Sequence, residues 1–81
     1  MKIELSNNQL IIKGRRSIKG QNIEQYVTDL ANYADLNILS TKYSGKGNQF
    51  YRIVLNGTND RLYAMLIMIQ NEHTDAHYTI H

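Results

Sequence analysis

Residues 45–57, GKGNQFYRIVLNG, contain the strand on which the expected fold depends. The preceding segment 38–43 is rich in residues that favour strands, and 44–48 supplies a loop with two glycines. Residues 38–56 therefore predict a β-hairpin whose return strand covers 49–56. Side chains of that strand alternate between two faces, with Tyr51, Ile53 and Leu55 on one and Phe50, Arg52 and Val54 on the other.

Two more strands are predicted near the N-terminus. Apolar residues at positions 1, 3 and 5 alternate with Lys2 and Glu4, and 9–13 forms a second β-favouring segment. Between the two segments, Asn7 and Asn8 tolerate the positive φ of a tight turn. We expect the second strand to end at the glycine in position 14, with a basic loop after it.

Two amphipathic helices are predicted on either side of the 38–56 hairpin. Apolar residues recur at three- and four-residue spacing over 23–35, and Asn22 suits the N-cap of this helix. The segment 58–60 provides the cap of a second helix, where Asp60 suits the positive end of the helix dipole. Alternation from 75 or 76 to 80 predicts a last strand. The inner face of the second helix is formed by Leu62, Met65, Leu66 and Ile69.

The predicted order of elements is β-β-α-β-β-α-β, within a single α+β domain that spans residues 1–81. Without the first strand, this order is the ferredoxin-like βαββαβ arrangement. We therefore expect a two-layer fold in which two helices cover one face of an antiparallel sheet and leave the other face open. The order with two strands ahead of the first helix is also similar to that of the SUI1 translation-initiation proteins.

The composition limits the classes of function that we expect. The chain of 81 residues has no cysteine, and it lacks a Gly-rich phosphate loop and a nucleophilic serine motif. We therefore expect no enzymatic activity, no cofactor and no small-molecule substrate. A ribonuclease-type toxin that uses Arg52 with a histidine is the enzymatic alternative. The longest apolar run, 63–69, is too short to span a bilayer, and the start does not resemble a signal peptide, so a cytoplasmic protein is expected.

A possible nucleic-acid platform is indicated by part of one motif. The net charge of +2 permits nucleic-acid binding without indicating it. Lys46 and the glycine after it, followed by Phe50, resemble the basic-Gly-aromatic motif on the third strand of RRM domains. Tyr51 stands where that motif has an aliphatic residue, Ile53 where it has a second ring, and 10–14 lacks the ring of the partner motif. The resemblance implies that the open sheet face binds RNA or single-stranded DNA. The alternative is an ordinary hairpin strand.

The residues predicted to contact nucleic acid or phosphate lie in the hairpin and in the basic loop. Arginine side chains match phosphate oxygens, and aromatic rings stack on bases. The alternative for the loop is a solvated segment whose charges have no ligand. The predicted contacts are Arg15, Arg16, Lys19, Lys42, Tyr43, Lys46, Phe50 and Arg52.

The second helix indicates a different function, contact with another protein. Beyond its inner face, Ile67 and Met68 are predicted to project outwards, with Tyr63 at the flank, which favours a second copy or a partner protein. Alternatively, the N-terminal hairpin or the C-terminal tail encloses these residues. Small size and a composition rich in Asn and Ile favour an inhibitor encoded by a phage or mobile element, in the class of anti-CRISPR proteins. This non-catalytic inhibitor of a nucleic-acid-handling complex is our first hypothesis, and single-stranded nucleic-acid binding is the second.

Histidines recur at every fourth position near the C-terminus. In a helical tail, His73, His77 and His81 would share one face and suit a metal ion. In a strand, only His77 and His81 would share a face. Because Tyr78 and Ile80 alternate with polar residues as in a strand, we expect no metal site.

Overall fold

The structure is a computed structural model that describes residues 1–16 and 23–81. It confirms the predicted α+β class and the order of the elements. The predicted N-cap Asn22 and the loop residue Lys19 lie outside the described residues. The elements in chain order are β1 (Lys2–Ser6), β2 (Gln9–Arg15), α1 (Ile23–Ala34), β3 (Asn37–Ser44), a 3-10 turn (Lys46–Asn48), β4 (Phe50–Asn56), α2 (Asn59–Glu72) and β5 (His77–Ile80).

The five strands form one mixed sheet with the order β3-β4-β2-β1-β5. Antiparallel pairing joins β1 to β2, β2 to β4 and β4 to β3, whereas β5 pairs parallel with β1. The expectation of a wholly antiparallel sheet is therefore wrong at the β5 edge. The crossover through α2 makes β5 run in the same direction as β4, and this direction is antiparallel to β2 but parallel to β1, which is the actual neighbour of β5. Because β1 lies between β2 and β5, the ferredoxin-like strand order is not confirmed.

The hydrophobic core lies between one face of the sheet and both helices. From α1 it includes Val27 and Ala31, and from α2 it includes the whole predicted inner face. The alternate residues of the strands form the opposite face of the sheet, which we call the open face. The strand residues in the core are Ile3, Leu5, Leu10, Ile12, Tyr51, Ile53 and Leu55, which confirms the predicted alternation of β4.

Two of the predicted turn and cap residues adopt the expected local geometry. Asn8 has a φ of 62°, as the tight turn between β1 and β2 requires. The hydroxyl oxygen of Thr58 accepts a hydrogen bond of 3.4 Å from the backbone N–H of Arg61, so Thr58 is the N-cap of α2. Strand β2 therefore begins directly after the predicted turn, and α2 begins directly after its predicted cap.

The prediction that β2 ends at Gly14 is wrong. The strand continues through Gly14 to Arg15, and Gly14 lies directly opposite Tyr51 of β4. A Cβ atom at Gly14 would lie 2.8 Å from the hydroxyl oxygen of Tyr51. The glycine is therefore explained by the close approach of a buried tyrosine, and Arg15 belongs to the sheet instead of a loop.

The two helices are joined near the C-terminus of α2. The hydroxyl of Tyr26 donates a hydrogen bond of 2.6 Å to Oε2 of Glu72, and its ring lies 5.1 Å from the ring of His73. Partial burial, together with this bond to a carboxylate, raises the pKa of Tyr26. Neither α1 nor α2 has the length and apolar character that a helix needs to cross a membrane.

Candidate functional site

All cations carried by the five strands lie on the open face. Each of them occupies a position that alternates with residues of the core, so the side chains point away from the helices. Arg15, Lys42 and Arg52 belong to the predicted contact set, whereas Lys2 and Lys13 were not predicted. The strand cations are Lys2, Lys13, Arg15, Lys42 and Arg52.

The strand register aligns four of these cations in a single line across the sheet. Lys42 lies opposite Arg52, Arg52 opposite Lys13, and Lys13 opposite Lys2. On the far side, Lys2 is paired with His77 of β5. We call these five residues, one from each strand, the basic row. With neighbouring strands about 4.8 Å apart, the row spans about 19 Å.

The basic row is flanked by a single carboxylate. Glu4 is the only acidic residue in the five described strands, and it lies on the open face opposite Ile11. Its Oε1 atom lies 3.1 Å from Nζ of Lys13, on the diagonal of the antiparallel pair. The hydrogen bond and the charge of Lys13 lower the pKa of Glu4, with smaller contributions from His81 and Arg52. Glu4 is therefore the internal partner of one cation of the basic row.

An exposed aromatic ring lies beside the basic row. Phe50 is 41% exposed, and the guanidinium carbon of Arg15 lies 5.9 Å from the centre of its ring. Gly45 lies behind the ring: a Cβ atom there would lie 2.7 Å from Cδ2 of Phe50. Since Gly45 also has a φ of 83°, only glycine fits this position without strain. The turn between β3 and β4 thus places an aromatic ring next to a cation on the open face.

Charge is segregated between the two layers of the molecule. The strands carry five cations and Glu4, whereas the two helices carry four carboxylates and Arg61. The net charge of +2 therefore combines a basic sheet with an acidic helical layer. This arrangement supplies the concentration of positive charge that a nucleic-acid interface needs and that the overall composition does not reveal.

Three residues of the predicted contact set lie away from the basic row. Tyr43 is half-buried against the core, because it lies opposite Tyr51 on the face that the helices cover. The guanidinium of Arg16 lies 4.9 Å from the Tyr43 ring and 3.9 Å from Glu24, so Arg16 also lies on the helical side. Lys46 lies in the 3-10 turn beyond the sheet. Strand alternation explains why Tyr43 does not lie on the open face. Its neighbour Lys42 points to that face, so Tyr43 points to the helices.

The outer side of α2 is less apolar than predicted. Tyr63 and Ile67 are exposed, but Met68 is half-buried and packs against the core, so its predicted outward position is wrong. Two residues of β5 that were not predicted to contact a partner, Tyr78 and Ile80, are also exposed on the helical side of the sheet. Tyr63 and Ile80 line one shallow hollow. The alternation predicted for this strand places Tyr78 and Ile80 on one face, but the position of Ile80 beside Tyr63 depends on the folded sheet and has no signal in the sequence.

The C-terminal histidines follow the alternative in which the tail is a strand. His73 caps the end of α2, whereas His77 begins β5 and the backbone N–H of His81 continues the ladder to Leu5. Among the described residues, no group of three histidine, aspartate or glutamate side chains is close enough together to hold a metal ion. His77 instead lies at the end of the basic row.

No family model matches the sequence, and neither the curated proteins nor the solved structures include a significant match. The interpretation of the chain as an inhibitor from a phage or mobile element stays a prediction.

Proposed function

We propose that the open face of the sheet binds single-stranded nucleic acid, with the phosphate backbone lying along the basic row. The observation that carries this proposal is the register, which places a cation or a histidine of every strand in one line. We also propose that the fold is a ferredoxin-like βαββαβ arrangement into which β1 is inserted as an extra strand. The proposed binding requires no catalytic group and no cofactor.

The basic row is unfavourable for the free protein, which supports a role in binding. Like charges that stand directly opposite each other on neighbouring strands destabilise a sheet, typically by about 0.2–1 kcal/mol for each pair. Arg52 has a lysine on both sides, Lys42 and Lys13, and Glu4 is the single strand carboxylate that compensates. A phosphate chain along the row removes this repulsion and gains the release of its own counterions.

The shape of the face favours a single strand over a duplex. The major groove of B-form DNA admits a helix or a two-stranded ribbon, and a face of five strands is too wide to enter it. A single strand exposes its bases, and Phe50 provides a ring on which one base can stack. Arg15, next to that ring, adds a cation within reach of a neighbouring phosphate.

Fluorescence anisotropy with a labelled single-stranded oligonucleotide of about ten nucleotides tests the proposal, starting at roughly 50 mM salt. We expect saturable binding whose logarithmic affinity falls linearly with the logarithm of salt concentration. Arg52→Gln removes one phosphate contact and should make that slope shallower by about 0.7. The matched control is Arg61→Gln, which removes a cation of α2 that is paired with Asp35 at 2.8 Å and should leave the slope unchanged. Absence of binding by the wild-type protein at low salt rejects the proposal.

A second candidate function is self-association through β5, which the edges of the sheet favour. The β3 edge carries Lys42 and a bulge between Ile38 and Ser40, both of which discourage pairing with another strand. The β5 edge has neither a lysine nor a bulge in its four residues. Antiparallel pairing of two copies about Thr79 would place Tyr78 opposite Ile80 of the second copy, a favourable aromatic and β-branched pair.

Light scattering after size exclusion tests this second candidate. We expect a concentration-dependent dimer that Ile80→Lys converts to a monomer. Leu39→Lys at the β3 edge is the matched control, because Leu39 and Ile80 are both 51% exposed. The control variant should remain a dimer. A wild-type protein that stays monomeric at every concentration rejects self-association.

A further inference from the structure

We infer that Glu4 competes with anionic ligands for the basic row. Its carboxylate pairs with Lys13 until an anionic ligand takes the place of that carboxylate. This inference rests on the proposed function, since it concerns how the same site is regulated. The ligand class is a chain of phosphates, of which one takes the place of the Glu4 carboxylate at Lys13.

The position of Glu4 makes it a competitor instead of a distant charge. Its carboxylate lies 3.1 Å from Nζ of Lys13, and both side chains remain partly exposed to solvent. Lys13 is the central member of the basic row, between Arg52 and Lys2. A chain of phosphates that follows the row from Arg52 to Lys2 must therefore pass Lys13, which is already paired with Glu4.

Exchange of one anion for another at Lys13 is feasible because the ion pair is at the surface. Exposed ion pairs contribute little to stability, so a ligand that brings several phosphates at once can displace one carboxylate. A ligand with a single phosphate gains only one contact at Lys13 and loses the one that Glu4 makes. Glu4 thereby favours extended polyanions over isolated phosphate groups at this face.

The experiment compares two variants that change the net charge equally. Glu4→Gln removes the competitor, whereas Glu24→Gln removes a carboxylate of α1 that lies 3.9 Å from Arg16 on the helical side. The probe is the labelled oligonucleotide of about ten nucleotides. Circular dichroism first establishes that both variants keep the fold.

We expect Glu4→Gln to bind the oligonucleotide about eightfold more tightly than wild type at roughly 50 mM salt, with a salt slope steeper by about 0.7. Glu24→Gln should match the wild type. In a double-mutant cycle, Lys13→Met should cost little affinity in the wild-type background and should abolish the gain in the Glu4→Gln background. A second readout is the carboxyl ¹³C resonance of Glu4, which should move when the oligonucleotide is added.

The possible outcomes separate this inference from the proposed function. Binding by the wild type with equal affinities for Glu4→Gln and Glu24→Gln overturns the role of Glu4 and leaves the interface in place. An unchanged Glu4 resonance at saturation also overturns it. Absence of binding by the wild type at low salt overturns the interface and this inference together.

Discussion

Lys13 and Arg52 stand directly opposite each other on the open face, and each has a further lysine as its next neighbour in the same line. Four adjacent strands thus present like charges in register, with Glu4 as the single strand carboxylate beside them. Such an arrangement costs folding free energy and increases the affinity of the surface for anions. Stability and binding should therefore respond in opposite directions when Arg52, which has no carboxylate partner among the described residues, is substituted.

The first prediction concerns Arg52, which lies between two lysines of the basic row. Arg52→Gln should raise the free energy of unfolding by about 0.4–2 kcal/mol, because it removes two cross-strand repulsions of about 0.2–1 kcal/mol each. The same variant should bind the oligonucleotide more weakly. Urea unfolding at low salt measures the first effect and anisotropy the second. A variant that loses both stability and affinity would show that Arg52 has a structural role instead.

The second prediction concerns the exposed ring of Phe50. Phe50→Leu keeps an apolar side chain but removes the aromatic face, and it should weaken oligonucleotide binding by about 1–3 kcal/mol. Binding to inorganic polyphosphate, which has no bases, should not change. The control is Tyr33→Leu in α1, since Tyr33 is 83% exposed on the helical layer. Equal losses for the oligonucleotide and polyphosphate would argue against stacking on Phe50.

The third prediction compares two glycines of the turn between β3 and β4. Gly45 and Gly47 have φ values of 83° and 69°, so alanine is strained at both, by about 1 kcal/mol or more. A Cβ at Gly45 would also collide with Phe50, whereas a Cβ at Gly47 meets nothing within 4 Å. Both alanine variants should lower the urea midpoint, but only Gly45→Ala should also weaken oligonucleotide binding. Equal affinities for the two variants would show that ring position is unimportant.

The fourth prediction concerns the hydrogen bond between Tyr26 and Glu72, which joins the two helices. Burial and this bond raise the pKa of Tyr26, so its contribution to stability is complete below the ordinary tyrosine pKa of about 10 and is lost as the pH rises beyond it. Tyr26→Phe should lower the free energy of unfolding at neutral pH by about 0.5 kcal/mol, because the bond is partly exposed.

Two measurements test the prediction for Tyr26. In a spectrophotometric titration, the wild type should show tyrosine ionisation above the ordinary range, because burial raises the pKa of both Tyr26 and Tyr51. Part of that signal should be missing from Tyr26→Phe. Urea unfolding above pH 10 should show a smaller decline of stability with pH for Tyr26→Phe than for wild type. Equal declines would show that the Tyr26 bond is not what titrates.

Local patterns were sufficient to predict most elements of the fold. The apolar stripe of α1, the cap at Thr58 and the alternation of Tyr51 with Phe50 each depend on residues close in sequence. The parallel pairing of β5 with β1 was not predictable in this way, because it joins residues more than seventy positions apart, such as Lys2 and His77. Gly14 was misjudged for the same reason, since Tyr51 is its neighbour only in the sheet.

The candidate site was predicted only in part. Arg15, Lys42, Phe50 and Arg52 were selected, but the basic row was not, because strand register is a property of the folded sheet. Lys2 and Lys13 were missed although both alternate with core residues in their strands. Alternation within each strand would have assigned all of the strand cations to one face of the sheet, although not to one line.

The separation of charge between the sheet and the helices gives the molecule an electric dipole that points from α1 and α2 towards the strands. In the field of a polyanion such a dipole turns the protein before contact, so that encounters begin with the strands foremost. Added salt should therefore slow association more than it speeds dissociation. The acidic helices would face outwards from the complex and repel the same polyanion.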